Sequence, residues 1–321
     1  MATSYKDISP ISSLSSFGQP ITALSFDTVS DILWAGLNTG TITAYLGTRG
    51  VRGPSFRVGG DLGSWTKGGL NKWFFRPTTG NVVTFSNTSL SSNYLVSSLD
   101  NLEMIFLSPV TGAAIRKIPT ASVLTHLELS HSMLISGSMD GYLRIHDTRT
   151  GMARGGGAEN VTKAHARSIQ GLETAGNFIF TIGMGERQSR PFPDPLVKIY
   201  DLRTMRPLPP IPFSAGPAFI HALPNRTSSI AIISNQGLIN IVDVSNISAF
   251  NEFYQLDIAT YITSTSISPS ATYMAFGDAE GTIHLMSQAV GDTPFNGYEG
   301  QPVPWADTPS PLPDIQWTQS T

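Results

Sequence analysis

An all-β chain made of a repeated strand unit is what this sequence predicts, and three observations predict it. The first is a template at residues 133–151, MLISGSMDGYLRIHDTRTG, where an apolar run meets the turn Gly137-Ser138-Met139-Asp140-Gly141 and then an alternating run ending at Asp147. An Asp-Gly between two β-prone runs supplies the positive-φ residue of a tight hairpin turn. The second is recurrence. Residues 32–47, 94–112, 229–244 and 273–286 repeat this grammar, and 178–203 is a diverged copy. The third is the period: Asn101 to Gly141 spans 40 residues and Gly237 to Gly281 spans 44, the ~40 to 45-residue spacing of WD40 blades. One hairpin alone is marginal in water, so the units must stack on one another. At ~42 residues per blade, 321 residues give a seven-bladed WD40-type β-propeller over 1–286. An extended Pro/Gly-rich tail, the start of a linker, occupies 287–321.

From the N-terminus, Tyr5 to Pro10 reads as a short strand that closes the ring against the last blade, because an open ring would leave strand edges unpaired. Residues 21–26 alternate and open the first blade. The second blade is anomalous: residues 63–75 look like its central hairpin, yet the turn-to-turn steps Gly40 to Gly69 and Gly69 to Asn101 are only 29 and 32 residues. Either this blade is truncated or a segment is missing from the numbered chain, and the second is expected. Residues 82–85 and 94–107 supply the third blade, and 123–129 lead into the template hairpin as the fourth. His146-Asp147 and Tyr200-Asp201 stand where Trp-Asp closes a standard repeat, and His165 stands where a Gly-His precedes the fifth blade. Gly155-Gly156-Gly157 reads as a flexible loop. In the fifth blade, residues 183–195 (GMGERQSRPFPDP) replace a tight turn by a long loop, where binding residues concentrate. Arg187, Arg190 and Phe192 make it a candidate partner contact, against the plainer reading of a solvated loop. The tail is too rich in Pro to pair as a central strand. Its Trp305 either pins the tail to the propeller or meets a partner, and Trp317 is assigned to partner contact.

Composition excludes several function classes. Twenty basic residues against 23 acidic ones leave a net charge of −3, so no global pull toward nucleic acid or membrane follows. Zero cysteines remove disulfides and thiolate metal sites. No apolar run approaches the ~18 residues of a membrane-crossing helix, and no basic stretch followed by a hydrophobic run opens the chain. The histidines His126, His131, His146, His165, His221 and His284 lack metal-ligand spacing. Gly183-Met184-Gly185 lacks the third glycine and the helix of a dinucleotide loop. Asp140, Asp147, Asp201 and Asp243 recur at blade turns, which marks a structural role rather than an acid-base pair. The Asn-X-Ser/Thr triplets at Asn87, Asn160, Asn225 and Asn246 are chance matches in a Ser/Thr-rich chain. The sequence therefore yields no catalytic, cofactor or metal residue.

The first blade, ITALSFDTVSDILWAGLNTGTITAYLG at 21–47, resembles the N-terminal WD40 domain of the catalytic subunit of the poly(A)-binding-protein-dependent poly(A) nuclease, a cytoplasmic deadenylase. Phe26-Asp27, Leu33-Trp34, Gly36 and Gly40 carry the most specific part, and the resemblance covers essentially the whole chain. It implies a non-catalytic scaffold that positions a downstream nuclease and its adaptor on poly(A) ribonucleoprotein in the cytoplasm and P-bodies. The implied partner is the adaptor subunit, a pseudokinase-containing homodimer, with poly(A) reached indirectly. The family's divalent metals belong to the downstream nuclease; this chain offers no clustered carboxylates for two-metal cleavage. The competing reading is a WD40 adaptor of another assembly, in trafficking or ubiquitin ligation, since the fold hosts many functions.

Overall fold

The computed structural model describes residues 4–12, 18–28, 32–46, 50–58, 62–65, 71–86, 94–130, 133–148, 160–224, 226, 228–246 and 251–288. The glycine run at 155–157 and the tail with Trp305 and Trp317 lie outside the described residues. Strand β1 (Lys6–Ser12) comes first in the chain. The first blade follows as β2 (Ile21–Phe26), β3 (Leu33–Leu37), β4 (Thr41–Leu46) and β5 (Val51–Arg57). A separate two-stranded sheet comes next, β6 (Leu62–Trp65) with β7 (Asn71–Phe75). The second blade is β8 (Val82–Phe85), β9 (Leu95–Leu99), β10 (Glu103–Leu107) and β11 (Ala114–Pro119). The third is β12 (Leu124–Ser130), β13 (Met133–Ser138), β14 (Tyr142–Asp147) and β15 (Asn160–Lys163). In the fourth, β16 (Ile169–Ala175) pairs with β17 (Phe178–Arg187), β18 (Arg190–Pro193) folds back on the far end of β17, and β19 (Leu196–Asp201) and β20 (Pro207–Pro212) complete the sheet. The fifth is β21 (Phe219–Ala222), β22 (Ser229–Ile233), β23 (Leu238–Asp243) and β24 (Asn251–Gln255). The last, β25 (Ile262–Ile267), β26 (Tyr273–Asp278) and β27 (Thr282–Ser287), takes β1 as its fourth strand, from Lys6 opposite Ser287 to Ser12 opposite Thr282. The closing strand expected at Tyr5 to Pro10 is thus present. The one described helical turn is a 3-10 turn at Val244–Asn246.

Among the described residues the propeller has six blades, five of four strands and the fourth of four with β18 added, which corrects the seven expected from dividing length by period. The numbered chain runs without a gap through the short steps around Gly69, and the stretch between Arg57 and Val82 has room for one hairpin and its connections. Where a second blade was expected, the described residues form a single hairpin, β6 with β7. It still packs: Trp73, 9% exposed, joins Leu95, Leu99, Ile105 and Leu107 of the second blade. Its Nε1–H donates to the Pro109 carbonyl at 3.0 Å.

The apolar core lies mainly between blades rather than within them. Ile135, Ile145, Ile169 and Ile179 join the third blade to the fourth; Ile182, Ile199, Ile220 and Ile232 join the fourth to the fifth; Ile21, Leu33, Ala275 and Ile283 join the last to the first. A recurrent irregularity sets the contact. β2, β12, β16 and β25 each bulge one residue after their start, which re-aims the bulged side chain. Thr125, bulged on β12, donates to the Ile169 carbonyl of the next blade at 2.8 Å; Thr263, bulged on β25, donates to the Ile21 carbonyl at 2.6 Å. Behind each threonine a glycine admits the neighbour's isoleucine: a Cβ on Gly137 would stand 2.8 Å from Ile169 Cγ2, and one on Gly277 would stand 2.5 Å from Ile21 Cβ.

Candidate interaction site

The recurring aspartates hold turns, as their spacing predicted. Asp140 Oδ1 accepts from the Ser138 hydroxyl and from the Tyr142 N–H at 3.3 Å, and its Oδ2 accepts from Arg144 Nη2 at 2.8 Å. Burial by itself pushes the pKa of the Asp140 carboxyl up, but those hydrogen bonds and the Arg144 charge outweigh it and hold the carboxyl below its ordinary value. Gly141, which closes that turn, has φ +80°. Asp201 accepts from the Arg203 and Thr204 N–H groups at 3.0 and 2.8 Å. Asp278, which sequence reading did not single out, accepts from Glu280 and Thr282 at 3.0 and 2.7 Å and meets His284 Nε2 at 3.1 Å. Among the described residues, no group of three His, Cys, Asp or Glu gathers where a metal could sit.

His165 precedes β16 at the position expected, although its blade is the fourth of six. It is 1% exposed, with Nδ1 3.1 Å from Asp194 Oδ2 and Nε2 3.1 Å from Thr181 Oγ1. Lys198 Nζ lies 3.3 Å from the same carboxylate and donates to the Ala164 carbonyl at 2.5 Å. Burial first, and the Lys198 charge second, push the imidazole below its ordinary value, so it works as a neutral strut.

The central channel holds a second polar cluster, in a cavity of about 340 Å³ lined in part by His126, Gln170, Glu173, His221 and Thr265. Its contacts step across blade boundaries. Thr174 donates to Glu128 Oε1 at 3.3 Å, Glu173 Oε1 lies 3.4 Å from His221 Nδ1, and His221 Nε2 lies 2.7 Å from Thr265 Oγ1. Burial, reinforced by the nearby Glu173 charge, pushes the Glu128 carboxyl up to about 8. Burial pulls His126 down to about 4. The sequence did not reveal this cluster, since its members sit on different blades.

The insertion at 183–195 is not the loop that was expected. β17 runs on to Arg187, and β18 returns from Arg190 in register, Arg187 opposite Arg190 and Gly185 opposite Phe192. Gln188 and Ser189 form the two-residue turn with φ of 50° and 62°, the left-handed pair such a hairpin demands and for which Asn-Gly is the usual signal. Arg187, Arg190 and Phe192 are all exposed, Phe192 by 39%, with its ring tip against Gly185. At the base, Arg167 Nη2 meets Glu186 Oε1 at 2.9 Å. The structure therefore gathers three of the five predicted contact residues on one projecting hairpin; Trp305 and Trp317 lie outside the described residues.

A family model described as PAN2 N-terminal matches residues 80–287. The PAN2-PAN3 deadenylation complex catalytic subunit PAN2 of Cryptococcus neoformans var. neoformans serotype D (strain JEC21) is 31% identical over 348 residues, covering 94% of this chain and 29% of that protein. The corresponding subunit of Aspergillus oryzae is 26% identical over 326 residues, covering 94% of this chain and 27% of that protein. Among solved structures, the Neurospora crassa Pan2 WD40 domain matches with a TM-score of 0.79 at 18% identity, covering 91% of this chain and 98% of that one. The chain spans less than a third of the length of those curated relatives.

Proposed function

The chain belongs to the PAN2 N-terminal family, and from that premise we propose that it serves as the non-catalytic docking domain of a PAN2-PAN3 deadenylation complex. In this reading the propeller positions a downstream nuclease and its adaptor subunit on poly(A) ribonucleoprotein, in the cytoplasm and in P-bodies. The observation that carries it is the match of 94% of the chain to a catalytic subunit of that complex at 31% identity. Residues 1–286 are the propeller and 287–321 the start of the linker. PAN3, as a homodimer, is the partner, contacted by Arg187, Arg190 and Phe192 on the hairpin and by Trp305 and Trp317 in the tail. A few aromatic and arginine anchors carry most of the energy of a protein interface.

The test is calorimetric titration of the chain with PAN3. Wild type binds, Trp317→Ala weakens binding by ~2 kcal/mol with an unchanged melting curve, and the triple hairpin variant weakens it further. No binding by wild type sinks the docking role; binding indifferent to all these changes moves the contact to the blade faces.

A further inference from the structure

We propose that the β17–β18 hairpin of the fourth blade is a basic finger that takes a short acidic segment of a partner protein. The inference rests on the docking role above and adds the chemistry of what docks. Arg187 and Arg190 flank the two-residue turn, one on each strand, both exposed. Two more cations stand at its base: Arg167, 47% exposed, bound to Glu186 at 2.9 Å, and Lys163 at the end of β15, whose charge acts on the same carboxylate. On the hairpin and at its base these four cations stand with two carboxylates, Glu186 and Asp194, the second already engaged by His165 and Lys198, on a chain whose net charge is −3. The excess is local, and nothing in the blade core requires it.

Guanidinium groups present forked N–H pairs that match carboxylates in two-point contact. Two of them held across a tight hairpin offer two such forks at a fixed separation. Phe192, on the same strand as Arg190, adds an exposed apolar surface beside them. The complementary ligand is a segment in which acidic residues alternate with an apolar one. A single-stranded nucleic acid fits less well. Such a polyanion is held by a continuous basic groove with several stacking aromatics. The finger has one aromatic, and its ring tip is already against Gly185.

The test uses the chain itself and fluorescence anisotropy with three labelled probes: a ten-residue peptide of Asp and Glu interspersed with Leu, its Lys/Arg counterpart, and an oligoadenylate of equal charge. The acidic peptide should bind and weaken as salt rises, the basic one should not bind, and R187E together with R190E should weaken the acidic peptide by at least about tenfold. Phe192→Ala should weaken it separately, by a smaller factor that does not depend on salt. If the charge reversal lowers the melting temperature, the Arg187→Gln, Arg190→Gln pair is read instead. Tighter binding of oligoadenylate, unchanged binding by the double variant, or no acidic-peptide binding each overturns the proposal. The outcome is separable from that of the docking role: PAN3 binding without acidic-peptide binding leaves docking intact and removes only the acidic chemistry.

Discussion

At the scale of single residues, polar side chains in the channel are set by burial rather than by sequence neighbours, and this has a measurable proton linkage. Glu128 rises from 4.5 to about 8 on folding, so the native state holds one more proton than the unfolded chain between those values, and stability falls as pH rises through that window. His126 falls from 6.5 to about 4, so the native state holds one fewer there, and stability rises with pH over its window. The two oppose each other below pH 6.5, and His165, also depressed by burial, sides with His126. Above pH 6.5 only the Glu128 contribution remains. The melting temperature of wild type should therefore drop between pH 6.5 and 8.5, and Glu128→Gln should flatten that drop and leave the protein more stable at pH 8.5. Parallel wild-type and variant curves over that range would mean that Glu128 ionises normally. None of this was legible beforehand: Glu128, Glu173 and His221 lie on β12, β16 and β21 and are brought together only by the packing of three successive blades.

At the scale of elements, the sequence was most legible where local chemistry decides the outcome. The Asp-Gly turn of the template, the alternation of residues 21–26 and the closing strand at the N-terminus all follow from turn residues and period-two patterning. It misled in two places. Gln188-Ser189 adopts a left-handed turn without a turn signature, so a hairpin passed for a loop. Residues 63–75 carry a hairpin's pattern, which does not say whether two further strands flank it. The β6–β7 hairpin nevertheless has a structural task. Trp73 covers Leu99 and Leu107, both 0% exposed, and the turn at Gly112 lies so close to its indole that a Cβ there would overlap the ring. Trp73→Ala should cost ~3–5 kcal/mol by opening a cavity on the second blade, and Trp73→Phe should cost less, losing chiefly the hydrogen bond to Pro109, about 1 kcal/mol. Urea unfolding of the two variants decides it. A Trp73→Ala cost below 1 kcal/mol would show that hairpin to be a mere appendage.

At the scale of the whole molecule, stability depends on closing the ring, because blades bury their apolar faces on one another and a gap would expose two of them. The threonine latches at Thr125 and Thr263 and the isoleucines seated on Gly137 and Gly277 recur at the boundary of the third and fourth blades and at that of the last and first, so closure between last and first blades uses the same contact as an internal boundary. Its extra reinforcement is the N-terminal strand. Tyr5, just ahead of β1, is 5% exposed and packs with Leu256, Ile241 and Met274 between the last two blades. Its hydroxyl donates to the Ala271 carbonyl at 2.5 Å, and its ring meets Tyr254 edge-on with centroids 5.9 Å apart. Burial pushes that hydroxyl far above its ordinary value, so it remains a donor at any working pH. Replacing a buried aromatic by alanine costs ~3–5 kcal/mol, whereas Tyr5→Phe removes one hydrogen bond, about 1 kcal/mol, and leaves the carbonyl of Ala271 unpaired. If β1 is the closing latch, Tyr5→Ala should also release β1 from β27, so amide exchange should accelerate at Ile283 and Leu285 well before the middle blades respond. Uniform exchange across all six blades, or a Tyr5→Ala protein as stable as wild type, would show that the ring holds without its N-terminal strand.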